Sequence, residues 1–383
     1  MRAIPDLRRA TAGHMPVMDG WRGGAILVVV LHNAGAVLYG GATLPVAIAH
    51  IVLTSGWVGV QLFFVLSGFL ITGILLDSQK HPAYFKNFYI RRTLRIFPLY
   101  YGFLAITLLV VPAVSGPSAW AESTRADGLW YWLYLSNWTP LLESGVNGLQ
   151  HLWSLGAEEQ FYLVWPALVL VSGRRFPLVA LGIVFAAPAI RIGMFVAGFD
   201  LDYMYQFTVA RADAFAVGAL MAVTVRRPDW TRVVWLRRRV LFAGVSAGLT
   251  VVLVLSRGFA QYSPPVLLVG QSLICIWFGL AMLSSLSPHG RIERGIASLL
   301  TSVWLRGLGK YSYAIYVLHF PLHALMRSRV ASFVQDAGPG TQLAMTFGYA
   351  SAVLAASTAM ALASWHLYEK HFLALKSRWA PRP

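Results

Sequence analysis

The sequence predicts an all-α integral membrane protein of about ten transmembrane helices, with N- and C-termini cytoplasmic. Three observations carry that expectation. The chain is 57% hydrophobic and only 12% charged, whereas soluble domains carry about 25% charged residues. Apolar runs of about 20 residues, enough to cross a bilayer, recur along its length. Lys and Arg also alternate between connections. Of the 31, 24 lie in the N-terminus, 77–97, 173–177, 225–239, 287–310 and the C-terminus, and four lie in or beside the other loops. That asymmetry marks the cytoplasmic side, and an odd number of spans would destroy it. The net charge of +16 therefore reads as topology and contact with anionic lipid, and no nucleic-acid partner is expected.

The spans are expected at about 22–40, 57–76, 98–114, 157–172, 178–198, 205–224, 240–256, 264–286, 311–328 and 342–367. LPVAIAHIVLT (44–54) is too short to cross and suits a re-entrant segment. GLWYWLYLSNW (128–138) is aromatic-rich, as at a membrane interface. The longest outer loop, 115–150, is long for a structureless connection, and such loops are often functional. The expected division is a cytoplasmic tail over 1–16, a membrane domain over 17–372 and a second tail over 373–383. No cleavable signal peptide is expected, because no small-residue cleavage site follows the first apolar run. The one cysteine, Cys275, excludes a disulfide framework and a Cys-based metal site.

Ionisable groups inside spans are functional candidates by default. In the first span, Asp19 is suited to cap the helix, which puts Arg22 in the first turn. His32 follows about 15 Å deeper, near mid-membrane. Arg22 can snorkel to the surface. His32 is too deep to do so, and is either a neutral core histidine or a general base. Ser67, in GVQLFFVLSGFLI (59–71), reads as a small packing residue; a serine nucleophile is the alternative, though not in the strand-to-helix elbow of G-x-S-x-G. Arg91, Arg92 and Arg95 fall just before Pro98 at the cytoplasmic start of the third span, and Arg92 and Arg95 share a helix face. Three arginines among Ile and Phe suit a phosphate-rich ligand as well as anchoring.

HLWSLGAEEQFYLVWPAL (151–168) opens the fourth span with Ser154 as a candidate cap. Glu158 and Glu159 stand near the helix start, where the dipole favours anions; His151 shares a face with Glu158 if the helix extends back. Arg211 and Asp213 are two apart in span six, so each is expected to pair elsewhere. Tyr313, Tyr316 and His319 line one face of span nine, with His319 again near mid-depth. His319 and His323 are four apart, but Pro321 lies between them and no carboxylate is near on that helix, so no metal is expected. Glu369 ends the last span. Spans seven and eight carry almost no polar groups. One shared, polar, membrane-embedded chamber is the economical explanation.

Taken together, DGWRG…LH (19–32), GVQLFFVLSGFLI, FYIRRTLRIFPLYY, HLWSLGAEEQFYLVWP, RADAFAVGAL and GKYSYAIYVLHFPL with a terminal YEK resemble the acyltransferase-3 family of integral membrane O-acyltransferases. The segments occur in the family's order over about 17–372. The resemblance implies transfer of an acyl group, often acetyl from acetyl-CoA, to a sugar hydroxyl of a cell-surface glycan such as O-antigen or exopolysaccharide, in the bacterial inner membrane. It implies catalytic roles for Arg22, His32, Glu158 and His319. Arg91, Arg92 and Arg95 would hold the phosphates of acyl-CoA. His151, Glu159, Arg211, Asp213 and Tyr316 would contact the glycan or glycolipid acceptor. His32 would take the proton of the attacking hydroxyl, Arg22 or a tyrosine would steady the oxyanion, and Glu158 would face the acceptor. Gln61 stands where many members carry an acid, and His371 where a proline is usual. The SGNH-type domain that some members append is not expected. Two alternatives stay open: acylation of a small glycosylated metabolite such as a macrolide, and a glycan-lipid transporter.

Overall fold

The computed structural model describes residues 15–38, 43–116, 118–142, 145, 146, 148–256 and 258–380. Most of the expected N-terminal tail, the end of the expected first span and the last residues of the C-terminal tail lie outside these. Among the described residues every regular element is helical. Helix α1 is Pro16–Gly35, with Pro16 in its first turn, where its missing N–H costs nothing. Helix α2 (Leu44–Thr54) runs through the tight turn Ser55–Trp57 into α3 (Val58–Ser78). Next come α4 (Tyr84–Leu104), a wide turn over Ala105–Val110, α5 (Val111–Ser115) and α6 (Ala119–Trp132). The chain then forms α7 (Trp153–Ser172), α8 (Phe176–Val196), the short α9 (Leu201–Gln206) and α10 (Ala212–Thr224). The remaining major helices are α11 (Trp230–Leu255), α12 (Gln271–Leu286), α13 (Arg291–Leu300), α14 (Val303–Gln335) and α15 (Pro339–Ser364).

The count of ten spans is not reproduced. Among the described residues, six helical stretches are long and apolar enough to cross a membrane: Leu44–Ser78, Tyr84–Ser115, Gln150–Val196, Trp230–Leu255, Val266–Leu286 and Pro339–Trp379. Gln150–Val196 holds two helices, α7 and α8. Helices α1, α10 and α14 fall outside the set for physical reasons. Helix α10 has 13 residues, about 20 Å at 1.5 Å per residue, against a hydrocarbon core of about 30 Å. Helices α1 and α14 carry the polar residues that make the site, and they pack along each other.

Helix crossings are tight where glycines meet backbone. A Cβ on Gly68 of α3 would lie 2.1 Å from the Phe215 carbonyl oxygen of α10, and one on Gly218 would lie 2.1 Å from that of Val65. Small residues allow this approach, and it fixes the face that α3 turns inward. Phe63, Ser67, Leu70 and Ile74 then form one stripe with helical spacing.

Several expected boundaries shift, with consequences for the site. Helix α1 starts at Pro16, so Asp19 lies in its first turn and does not cap it, and Arg22 lies in the second. His32 falls in the last turn, not at the middle of the helix. Helix α4 continues through Pro98, so Arg91, Arg92 and Arg95 are in its middle turns and not before its start. Ser154 follows the first residue of α7 and makes no cap. The 44–54 run is helical and continuous with the next span. Residues 128–138 end α6 and enter a short 3₁₀ turn, Ser136–Leu142.

Candidate active site

A cavity of about 710 Å³ opens between α1, α3, α4, α7 and α14. It reaches the ends of these helices that carry the Lys- and Arg-rich connections. Asp77, His81, Arg226 and Lys376 border it there. Arg226 is fixed by Asp77 through Nε at 2.9 Å and Nη2 at 2.6 Å. Farther in, Arg22, Arg91, Arg92 and Arg95 line the wall. Arg22 donates from Nη2 to Ser312 Oγ at 3.1 Å, and the Arg92 guanidinium stands 5.5 Å from the Tyr162 ring centroid. A ring face holds a guanidinium while leaving its in-plane donors for another partner.

Glu158 stands among these cations and accepts hydrogen bonds from both Ser67 Oγ and Tyr162 OH. Tyr162 OH is 3.4 Å from Ser67 Oγ. The carboxylate is thus held from two sides and lines the cavity. Glu159 lines it too, and its Oε1 is buried without a hydrogen-bond partner among the described residues.

Tyr316 marks the inner end. Its hydroxyl shares a 2.6 Å hydrogen bond with Ser154 and donates to the His151 carbonyl at 2.8 Å. Its ring meets Phe63 edge-on at 6.3 Å. Beyond it lies a histidine group that is not part of the cavity lining. His319 is fully buried; its Nδ1–H donates to the Tyr316 carbonyl at 2.7 Å, and its Nε2 accepts from Asn33 Nδ2 at 3.1 Å. His151 stands 5.6 Å from His319 between ring centroids. Its Nε2 donates to the Val317 carbonyl at 3.1 Å, and its buried Nδ1 has no hydrogen-bond partner among the described residues. His32 donates from Nδ1 to the Leu53 carbonyl at 2.8 Å. A ring whose one nitrogen donates to a carbonyl keeps its lone pair on the other, so His32 presents Nε2 as an acceptor. Among the described residues no group of three or more His, Cys, Asp or Glu could hold a metal ion.

The expected single chamber is therefore three separate polar groups. The third contains Arg211 and Asp213, both expected to contact an acceptor. Neither lines the cavity: they are 1% and 2% exposed. Asp213 pairs with Arg191 at 3.0 Å and with Ser272, and Arg191 also donates to Ser272 at 2.6 Å. Arg211 donates to Gln271 and lies 4.6 Å from the Tyr205 ring centroid. Span eight thus supplies Ser272 and Gln271, contrary to the expectation that it carries almost no polar groups. Gln61, in the position where an acid is common, is buried and accepts from Cys275 Sγ at 3.6 Å. It also stays outside the cavity lining. Asp213→Asn should destabilise the fold by about 3–5 kcal/mol, the usual result of breaking a buried ion pair. The unfolding midpoint of detergent-solubilised protein reads this directly; an unchanged midpoint contradicts a framework role.

Of the expected site residues, Arg22, Arg91, Arg92, Arg95, Glu158, Glu159 and Tyr316 come together around the cavity. His151 and His319 lie together beyond Tyr316, while His32 stands against Leu53 and Gly56. Tyr162, Ser312 and Asn33 were not legible as site residues, and Ser67 was read first as a packing residue. The one signal was spacing: Tyr162 lies one helical turn after Glu158, and so shares its face.

The geometry defines a class: an all-helical, multi-pass membrane protein with an arginine-lined cavity inside its bundle. The chain belongs to the acyltransferase-3 family, whose sequence profile, described as an acyltransferase domain, matches residues 16–366. It is similar to the peptidoglycan O-acetyltransferase OatA of Listeria monocytogenes, at 27% identity over 83% of this chain and 50% of that protein. It is also similar to the O-acetyltransferase OatA of Staphylococcus aureus, at 25% identity over 82% of this chain and 51% of that protein. The chain spans about half the length of the curated relatives it matches. No solved structure matches it.

Proposed function

We propose that the chain is an acyl-CoA-dependent O-acyltransferase of the bacterial cytoplasmic membrane that places an acetyl group on a sugar hydroxyl of a cell-envelope glycan. One observation carries this reading: a cavity that reaches the cationic ends of the helices is lined by five arginines and by a hydrogen-bonded carboxylate. Arginine forks suit the phosphates of a nucleotide-linked thioester. The positive-inside rule makes the open end cytoplasmic, where acyl-CoA is found. Glu158 is the proton-transfer group that lines this cavity. His32 lies farther along α1, ten residues or about 15 Å from Arg22, and serves the acceptor end. There its Nε2 lone pair receives a hydrogen bond from another hydroxyl of the bound sugar and so holds the acceptor in place. The printed names of the relatives, O-acetyltransferases of peptidoglycan among them, support a glycan acceptor.

Incubating the purified chain in lipid nanodiscs with radiolabelled acetyl-CoA and isolated envelope glycan should move label onto the glycan in an alkali-labile ester. CoA should be released in step. Saturable acetyl-CoA turnover without label on any glycan would redirect the acceptor to a small molecule, and no turnover at all would refute the reading. His32→Ala should abolish glycan labelling while the protein stays folded. Retained labelling in that variant would remove His32 from the acceptor end.

A further inference from the structure

The geometry points to Ser67 as a nucleophile that carries the acyl group between donor and acceptor. This rests on the donor-cavity reading above. Serines inside α-helices usually donate back to a carbonyl one turn earlier, and this chain follows the habit elsewhere: Ser78 donates to Ile74 and Ser357 to Val353, each at 2.7 Å. Ser67 does not. Its hydroxyl leaves the helix and donates to the Glu158 carboxylate inside the cavity. A serine hydroxyl bound to a base that a third group orients is the arrangement of an activated nucleophile; here Tyr162 OH is the orienting group. The hydroxyl is half-buried on a stripe whose neighbours, Leu66 and Gly68, are buried, so the cavity is its route of access. Arg22 lies within electrostatic reach of Glu158 and Tyr162, where charge develops on a thioester under attack.

Position along the helices gives the serine its place in the sequence of events. Ser67 is one turn from Phe63 on α3, and Glu158 one turn from Ser154 on α7, about 6 Å each. Phe63 and Ser154 are the residues that touch Tyr316. An acyl group on Ser67 therefore rests one turn from the partition behind which the histidines stand. In the first half, Ser67 Oγ adds to the thioester carbon as its proton passes to Glu158. The C–S bond breaks, and Glu158 returns the proton to the leaving thiolate, giving CoA thiol and acyl-Ser67. In the second half, the acceptor hydroxyl adds to the ester carbon and its proton passes to Glu158. The bond to Ser67 Oγ breaks, and Glu158 reprotonates the serine. Atoms balance, and no further reactant is needed.

The test uses the full chain in nanodiscs with radiolabelled acetyl-CoA and no acceptor, quenched in acid within the first turnover. The expected result is label bound to the protein at near one equivalent, mapping to the peptide that contains Ser67, with an equal burst of CoA. Ser67→Ala should lose both. Ser67→Cys should keep the label in a form released by neutral hydroxylamine, as a thioester is and an oxygen ester is not; a merely structural serine would not yield that chemistry. Unlabelled wild type that still moves label to envelope glycan overturns the acyl-serine and leaves the transferase reading standing. So does Ser67→Ala that still acetylates glycan. Wild type that neither takes label nor turns over acetyl-CoA overturns both.

Discussion

Glu158→Gln should reduce acyl transfer by about 10²–10⁴-fold, the usual contribution of a positioned acid–base group, with little effect on folding. The amide keeps the shape of the carboxylate. Its oxygen still accepts from Ser67 or Tyr162, as Glu158 now does from both, but it cannot take a proton. The expected signature is a fall in kcat with the KM for acetyl-CoA nearly unchanged, because a donor held by the arginines does not need that carboxylate in order to bind. Initial-rate kinetics on nanodisc-embedded protein check it. A rate within threefold of wild type would show that the proton leaves by another route, with His32 the next candidate. Glu159→Gln serves as comparison: it lines the same cavity but holds neither hydroxyl, and its effect should be far smaller.

Arg92→Ala and Arg95→Ala should each raise the KM for acetyl-CoA by about 30-fold or more. That corresponds to the roughly 2 kcal/mol lower bound for truncating one partner of a desolvated charge pair. Arg→Lys should recover only part, because an ammonium cannot reproduce a planar two-pronged contact. Added salt should weaken wild type less than it would an exposed pair, since both side chains lie within the bundle, where screening is reduced. Free CoA should compete with acetyl-CoA in wild type and lose that competition in the variants. Unchanged KM values in both variants would place the phosphates elsewhere, with Arg22, Arg91, Arg226 and Lys376 the remaining lining cations.

Much of the fold was legible because burial in lipid leaves a one-dimensional trace. Over the described residues the expected spans fall on helices, except that the sixth is broken between α9 and α10. What the trace misreads is the polar helix. Pro98 reads as a boundary, yet α4 runs through it, so the arginines move from the edge of the bundle to its interior. Helices α1, α10 and α14 blur because a helix surrounded by other helices need not be apolar. The site was half legible for a related reason. Arginines and glutamates are conspicuous at membrane depth, so Arg22, Arg92, Arg95 and Glu158 stood out, and the cavity gathers them. Hydroxyls do not stand out, because Ser and Tyr are common in spans for packing. Ser67 beside Gly68 looked like a close helix contact. Gly68 is one, while the neighbouring hydroxyl turns the other way into the cavity. Arg211 and Asp213 show the converse error. Charge at depth marked them as functional, but away from the cavity Arg191 and Ser272 hold Asp213, and Gln271 accepts one hydrogen bond from Arg211.

The central claim is that the acyl thioester reacts inside the arginine-lined cavity. Photocrosslinking with an acyl-CoA carrying a diazirine on its acyl chain, followed by peptide mapping, tests it most directly. The account predicts adducts on the stripe from Phe63 to Leu70 of α3 and on Leu155 to Tyr162 of α7, suppressed by excess acetyl-CoA. Adducts confined to lipid-facing surfaces, or insensitive to acetyl-CoA, would contradict it.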